Sequence, residues 1–309
     1  MGYLECHSQL QVSTTRDSNT LQSNSDCDGA SITSDALTAF WREHDRTLAQ
    51  DGSFDDVMLS HDLYRGMPSW FNAFYAYFQR RAVSHLLREC RLAPGMSVLD
   101  IGCGTGRWTG LMLKMGMRPW GVDMGEQALH YAARQWPGAL FSCGKLPYLA
   151  FAEGSFDLVI SVVVLQHVPH EQQSDAIREI SRVLRLGGYV IICESIDTDD
   201  PSPHVFGNKP ECWLEMFSNA GFQLVAQSAC EYLPYVKIFH WSRQLLGKKV
   251  NGLTGQGSVS QVAQLLRAHP FLAVFVRLVI IMSYPFEYMA SWVLPARWAR
   301  LTCFLLRKD

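Results

Sequence analysis

The stretch VLDIGCGTGRW, Val98 to Trp108, restricts the possible folds of this chain more than any other segment. Val98, Leu99 and Ile101 read as a buried strand of a parallel sheet, and Trp108, Leu111, Met112 and Met115 recur at helical spacing. Between them Gly102, Gly104 and Gly106 stand at alternate positions. The unit is strand, tight turn, helix, and its bare backbone lets a ligand lie where a Cβ would collide. In the dinucleotide version of such a turn the glycines follow G-x-G-x-x-G and the helix N-terminus meets a pyrophosphate. Here Arg107 stands at the third position of that pattern. A glycine-rich turn alone is a weak signal, so the next strand decides.

That strand, Pro119 to Val122, ends in Asp123, 17 residues beyond Gly106. A carboxylate there can accept both hydroxyl hydrogens of a ribose, as the acidic residue of nucleoside-binding doubly wound folds does. Asp123 also stands just before GEQAL, which begins a helix, so an N-cap is a second reading of the same residue.

Strand patterns at about 97–101, 118–122, 139–143, 156–162, 188–194 and 222–229 alternate with amphipathic helices. Such alternation implies an α/β fold with a mostly parallel sheet covered on both faces. The helix over about 171–186 is expected to end at Gly187-Gly188 through a left-handed cap. Upstream, residues 1–33 are polar and read as a mobile tail. Residues 34–92 read as helical, with Ser34 capping the first helix and Phe71, Phe74, Tyr75, Phe78, Ala82 and Leu86 forming a stripe on a long second one. That stripe is either core against the sheet or, at its start, part of an acceptor pocket.

Composition narrows the partners. A net charge of −2 with no basic stripe argues against nucleic acid. Nine scattered cysteines without a C-x-x-C point to neither a disulfide framework nor a zinc site, and buried free thiols in a reducing cytosol are the expectation. No metal is expected. Residues 1–30 lack an apolar core segment, so no signal peptide is read and a cytoplasmic location is expected.

VLDIGCGTG, then GVD, SFDLVISVVVLQHV and ISRVLRLGGYVIICE, in that order, resemble the class I S-adenosylmethionine-dependent methyltransferases over roughly Arg91 to Tyr232. The resemblance implies a doubly wound, Rossmann-like seven-stranded sheet over residues 93–232, completed by an antiparallel last strand within 301–309. It implies S-adenosylmethionine as cofactor, with Asp100 favouring the methionine ammonium, the main chain of Gly102, Cys103, Gly104 and Gly106 holding the methionyl part, and Asp123 the ribose. Relatives often carry an Asp in the loop after the third strand; Ser142 stands there, with Cys143 beside it. A serine oxygen can accept from the adenine amino group, though without charge assistance. Met124 packs on the adenine face or merely fills core. Ser161 and Gln166 lie where the fourth strand meets the ligand.

Methyl transfer needs mainly positioning and removal of a proton. His167 of LQHV, with an ordinary pKa of about 6.5, is the first candidate base and Glu194 the second. A His bonded to a nearby carbonyl is the alternative for His167. His61 and Tyr64 are read as closing over the cofactor. The sequence lacks the N/D-P-P-Y/F tetrad of amino-methylating nucleic-acid enzymes, so the expected acceptor is an oxygen of a small molecule such as a natural product, quinone or sugar. A lipid-linked or surface-glycan precursor, and a binding-only protein on the same fold, stay open. Residues 233–300 form an insertion whose stretch 265–300 is a helical layer over the site, a peripheral membrane contact or a homodimer contact. A transmembrane span is not expected, because the apolar run 271–282 contains Arg277 and Pro285 closes it, whereas a bilayer needs about 20 residues.

Overall fold

A computed structural model describes residues 34–48, 54–64, 67–196, 204–232 and 264–309. The expected tail at 1–33 and residues 233–263 of the expected insertion lie outside them.

The first strand, β1 (Ser97–Ile101), shows how alternation builds the core. Successive side chains of a strand point to opposite faces, so Val98 and Leu99 enter different apolar layers. Val98 joins Phe74, Phe78 and Leu86 of α3 (Ser69–Glu89) and Met112 of α4 (Arg107–Lys114). Leu99 and Ile101 join Ile177 and Ile180 of α6 (His170–Val183) and Trp213 and Phe217 of α7 (Pro210–Asn219). Both faces are covered, as a parallel sheet requires. The stripe on α3 is therefore core.

The other strands are β2 (Arg118–Asp123), β3 (Leu140–Cys143), β4 (Phe156–Val162), β5 (Leu184–Ser195), β6 (Phe222–Cys230) and β7 (Leu301–Lys308). Their order is β3-β2-β1-β4-β5-β7-β6, with β7 antiparallel to both neighbours and the rest of the ladder parallel. The chain winds outward from β1 to β3, then returns to β4 and winds the other way. The crevice between the carboxyl ends of β1 and β4 is the switch point at which such sheets bind ligands. Helices α1 (Ser34–Arg46), α2 (Phe54–His61) and α5 (Glu126–Gln135) complete the described core.

Three expectations change. Helix α6 stops at Val183, and Gly187 (φ 72°) lies within an irregular part of β5, where the pairing jumps from Leu184 to Tyr189. The turn needs the glycine, but four residues after the helix rather than at its cap. Pro285 does not close a helix: α8 (Pro270–Val293) runs through it for 24 residues. A mid-helix proline costs one main-chain hydrogen bond, and at exposed Pro285 water can satisfy the carbonyl left over. The free-thiol expectation fails at two of the nine cysteines: Cys193 and Cys303, opposite one another in the β5–β7 ladder, form a disulfide. Sheet register, not sequence spacing, brings them together.

Candidate functional site

Alternation along β1 sends Asp100 to the same face as Val98, beneath α4. There Asp100 Oδ2 accepts the Thr109 N–H at 2.7 Å and its hydroxyl at 2.6 Å. Asp100 Oδ1 is buried and has no partner. Burial pushes the carboxyl up to about 7 against the lowering effect of both Thr109 bonds. A buried carboxylate oxygen left open at a switch point is suited to a cationic group. The hydroxyl of Ser161, which pairs with Ile101 across β1 and β4, is likewise buried without a partner.

The turn after β1 passes through Gly102 (φ 65°), Gly104 (φ 52°) and Gly106 (φ 85°), left-handed values that L side chains rarely adopt. The amides of Gly102 and Cys103 donate to the Val122 carbonyl, at 2.7 and 3.0 Å. This ties the turn to the end of β2. The Cys103 thiol is buried beside Gly121, so this residue meets the crevice through its main chain. Asp123 Oδ2 accepts the Gly104 N–H at 2.9 Å and Oδ1 the Gly125 N–H at 2.8 Å. A carboxylate has about four acceptor positions, so each oxygen keeps one for a diol. The N-cap reading of Asp123 gives way: Asp45 at the end of α1 accepts the N–H groups of Gln127 and Ala128 at the start of α5, at 3.0 and 2.9 Å. Met124 follows Asp123 directly, and register sets Ser142 beside Val122 and Cys143 beside Asp123, at the carboxyl ends of β2 and β3.

Sequence inspection missed Asp62. Its Oδ2 accepts the Thr105 hydroxyl at 2.7 Å and its Oδ1 the Thr105 N–H at 3.2 Å. Oδ1 also lies 2.5 Å from where a Cβ on Gly104 would stand, so a carboxylate already rests against the bare turn. His61 Nδ1 lies 2.9 Å from the same oxygen. Burial alone would lower the His61 pKa, but the Asp62 bond and the charges of Asp62, Asp123 and Asp45 outweigh it and raise the value. Tyr64, read as part of the same closure, points elsewhere: its hydroxyl accepts from Arg300 Nη1 at 2.6 Å. Arg300 also meets Glu231 at 2.9 Å, and Gln79 links Glu231 (3.2 Å) to Arg107 (2.7 Å). This polar chain crosses the carboxyl ends of the strands, and nothing local in the sequence announces it.

On the β4 side, Val163 sits at φ 60°, a costly conformation for a β-branched residue. It is held there because its N–H donates to Cys193 O at 2.8 Å and because the next three amides, Val164, Leu165 and Gln166, donate to the Glu194 carboxylate at 3.1 to 3.2 Å. Glu194 is fully buried, and burial raises its pKa to about 8 despite those three bonds. Its geometry makes it the clamp of this turn rather than a group facing the crevice. The turn presents His167, whose Nδ1 lies 2.7 Å from the His204 carbonyl; the Nδ1–H donates, which leaves Nε2 as the basic nitrogen. Gln166 Oε1 accepts the Ser195 N–H at 2.8 Å, so its amide nitrogen faces His167 Nε2 at 3.4 Å. Trp41 of α1 packs edge-on against His167, with centroids 4.7 Å apart. Helix α1 thus roofs the base candidate.

Among the described residues, Cys193, Cys230 and Cys303 are the one grouping of metal-type ligands. Two of these sulfurs share the disulfide and are not thiolate donors. At the crevice, the open oxygen of Asp100, the carboxylate of Asp123 and the glycine cradle fit a nucleoside that carries positive charge on an amino-acid arm, and Asp62 already occupies the Thr105 end of that cradle.

The chain is similar in sequence to known proteins. Residues 99–192 match the family model described as a methyltransferase domain. An uncharacterised methyltransferase of Synechocystis sp. is 31% identical over 140 residues, 45% of this chain and 65% of the relative. The 2-methyl-6-phytyl-1,4-hydroquinone methyltransferase of Synechocystis sp. is 32% identical over 124 residues, 38% of each chain. The trans-aconitate 2-methyltransferase of Azoarcus sp. is 29% identical over 159 residues, 50% of this chain and 62% of the relative. The chain thus spans between 38% and 65% of the length of these relatives. Residues 99–192, on this sheet and this cradle, thus match a methyltransferase domain.

Proposed function

We propose that the protein transfers a methyl group from S-adenosylmethionine to an oxygen of a small-molecule acceptor such as a natural product, quinone or sugar. The observation that carries this reading is the buried, unpartnered Oδ1 of Asp100 beside the glycine cradle and Asp123. Similarity to methyltransferases named for a hydroquinone and for trans-aconitate supports a small acceptor.

The cofactor, when bound, supplies an electrophilic methyl on a sulfonium centre. Asp100 Oδ1 would hold the ammonium of the methionyl arm, and Asp123 the ribose hydroxyls through its remaining acceptor positions. Ser161 closes the floor between them; Met124, Ser142 and Cys143 border the adenine side. Asp62 would have to leave Thr105 for the methionyl carboxylate to reach that N–H and hydroxyl. His167 Nε2 would receive the acceptor's hydroxyl proton once the acceptor hydroxyl takes the place of the Gln166 amide at that nitrogen, while the His204 carbonyl holds the ring through Nδ1. Trp41 keeps water from the base. A proton-transfer role of this kind contributes about 10²- to 10⁴-fold to rate.

A second reading, an acceptor carried on a lipid, is favoured by the exposed apolar surface of α8. The test is to incubate the protein with methyl-labelled S-adenosylmethionine and cell extract, then count label in aqueous, lipid and precipitated fractions. Label in the aqueous fraction supports a soluble acceptor and label in the lipid fraction the second reading. No label, with cofactor still bound by calorimetry, overturns both in favour of a binding-only protein.

A further inference from the structure

Helix α8 has one face that packs and one that does not. Inward, Ile280, Ser283 and Glu287 are buried; Tyr284 packs on Phe74 and Phe78 of α3 with centroids 4.9 and 5.5 Å apart, and Glu287 accepts the Tyr232 N–H at 2.9 Å. Outward, Phe271, Phe275, Leu278, Met282, Phe286 and Met289 recur every three or four residues and are all exposed, Phe271 to 92% and Met282 to 68%. Only 17% of the most apolar window of this 24-residue helix is buried. A ridge of this length and composition is far larger than the scattered apolar exposure of a soluble surface.

By length and composition the helix could cross a membrane, but its attachments forbid it. Leu266 just before it is buried against Met67, Leu301 just after it is buried in the sheet, and its middle packs on α3. Both ends and the centre belong to one body on one side, so the helix lies along the domain with its apolar ridge outward.

Charge selects the occupant. The exposed charged side chains between residues 264 and 300 are Arg267, Arg277 and Arg297, and Arg81 of α3 reaches the C-terminal half of the helix at the Ser291 hydroxyl, 2.6 Å away. Glu287 is the only carboxylate side chain between residues 264 and 308, and it is buried. A second copy laid against this face would bring arginines to arginines with no carboxylate to meet them. Anionic headgroups meet them directly, while the ridge enters the acyl boundary. Trp292, 72% exposed, and Trp298, 54% exposed, stand at the C-terminal end, with the amphipathic ring favoured at that depth.

We infer that α8 is an in-plane membrane-docking helix that seats this protein on an anionic bilayer surface. Such helices bind through buried apolar area together with attraction to anionic lipid. Docking requires no chemistry, so the inference stands apart from the methyl-transfer reading.

The test is flotation of the full chain with vesicles of phosphatidylcholine alone and with a third phosphatidylglycerol, alongside light scattering in the absence of vesicles. The wild type is expected to float with the anionic vesicles and at least tenfold less with the neutral ones. Phe275→Ser/Met282→Ser/Phe286→Ser, changed only on the exposed face, is expected to lose at least 100-fold in partitioning while keeping its circular dichroism. Arg267→Gln/Arg277→Gln/Arg297→Gln is expected to abolish the preference for anionic lipid. Three results overturn the inference. One is equal flotation of wild type and the serine variant. Another is a dimer that the serine variant dissociates, with no flotation. The third is a monomer that never floats.

Discussion

Replacing Asp100 by Asn changes one charge and almost no shape. The asparagine oxygen can keep both Thr109 bonds, and the amide nitrogen takes the place of the open Oδ1. The wild-type carboxyl titrates near 7 in the fold against 3.8 for an ordinary aspartate, because burial penalises its charge. At about 1.4 kcal/mol per tenfold change in proton affinity, keeping Asp100 ionised in the fold costs on the order of 4 kcal/mol. This group binds its proton more tightly when folded. The cost is therefore absent below pH 4, grows as pH rises from about 4 to 7, and stays constant above 7. Asp100→Asn should match the wild type near pH 4 and exceed its unfolding free energy by about 4 kcal/mol at pH 8. Urea unfolding at several pH values reads this directly. Calorimetry supplies the functional half: wild-type affinity for S-adenosylmethionine should rise through pH 7 as the carboxylate forms, and the variant should bind weakly at every pH. A stability difference that does not vary with pH would refute both the burial argument and the assignment of Asp100 to a cation.

Asp123→Ala should weaken cofactor binding about 10- to 100-fold by calorimetry, since charge-assisted bonds are worth about 1.5–3 kcal/mol each; an unchanged affinity removes it from the ribose site. His167→Ala should lower turnover about 10²- to 10⁴-fold with cofactor affinity unchanged, and equal turnover in both proteins ends its role as base. Asp62→Ala should tighten cofactor binding about tenfold by releasing the Thr105 N–H and hydroxyl, and weaker binding would show instead that Asp62 itself holds the ligand. His61 carries a raised pKa, so its contribution to stability is complete below about pH 6.5 and lost as pH rises through the folded value. His61→Gln should remove that slope from a series of urea midpoints, and a slope that persists assigns it to another group.

Much of the site was legible where chemistry follows local spacing. The glycines needed positive φ in a strand-to-helix turn, and Asp100 and Asp123 fell at strand positions that the α/β alternation carries to one edge. Reasoning failed where residues far apart supply each other's partners. The cap of α5 comes from Asp45 on α1, 82 residues before Gln127. Glu194, read as a candidate base, spends its lone pairs on three amides 28 to 30 residues upstream.

Sequence by itself determined the alternating strands and helices, their order along the chain and the glycine turn after β1, because periodicity and turn chemistry are short-range properties that neighbouring residues dictate, and the doubly wound arrangement was what the family resemblance implied. The tertiary structure alone decided that Asp62 lies on the glycine turn, that the His204 carbonyl orients His167, that Cys193 meets Cys303, and which face of α8 remains exposed. Those depend on the closing of long loops and the register of nonadjacent strands. No local pattern of residues encodes which distant partner arrives.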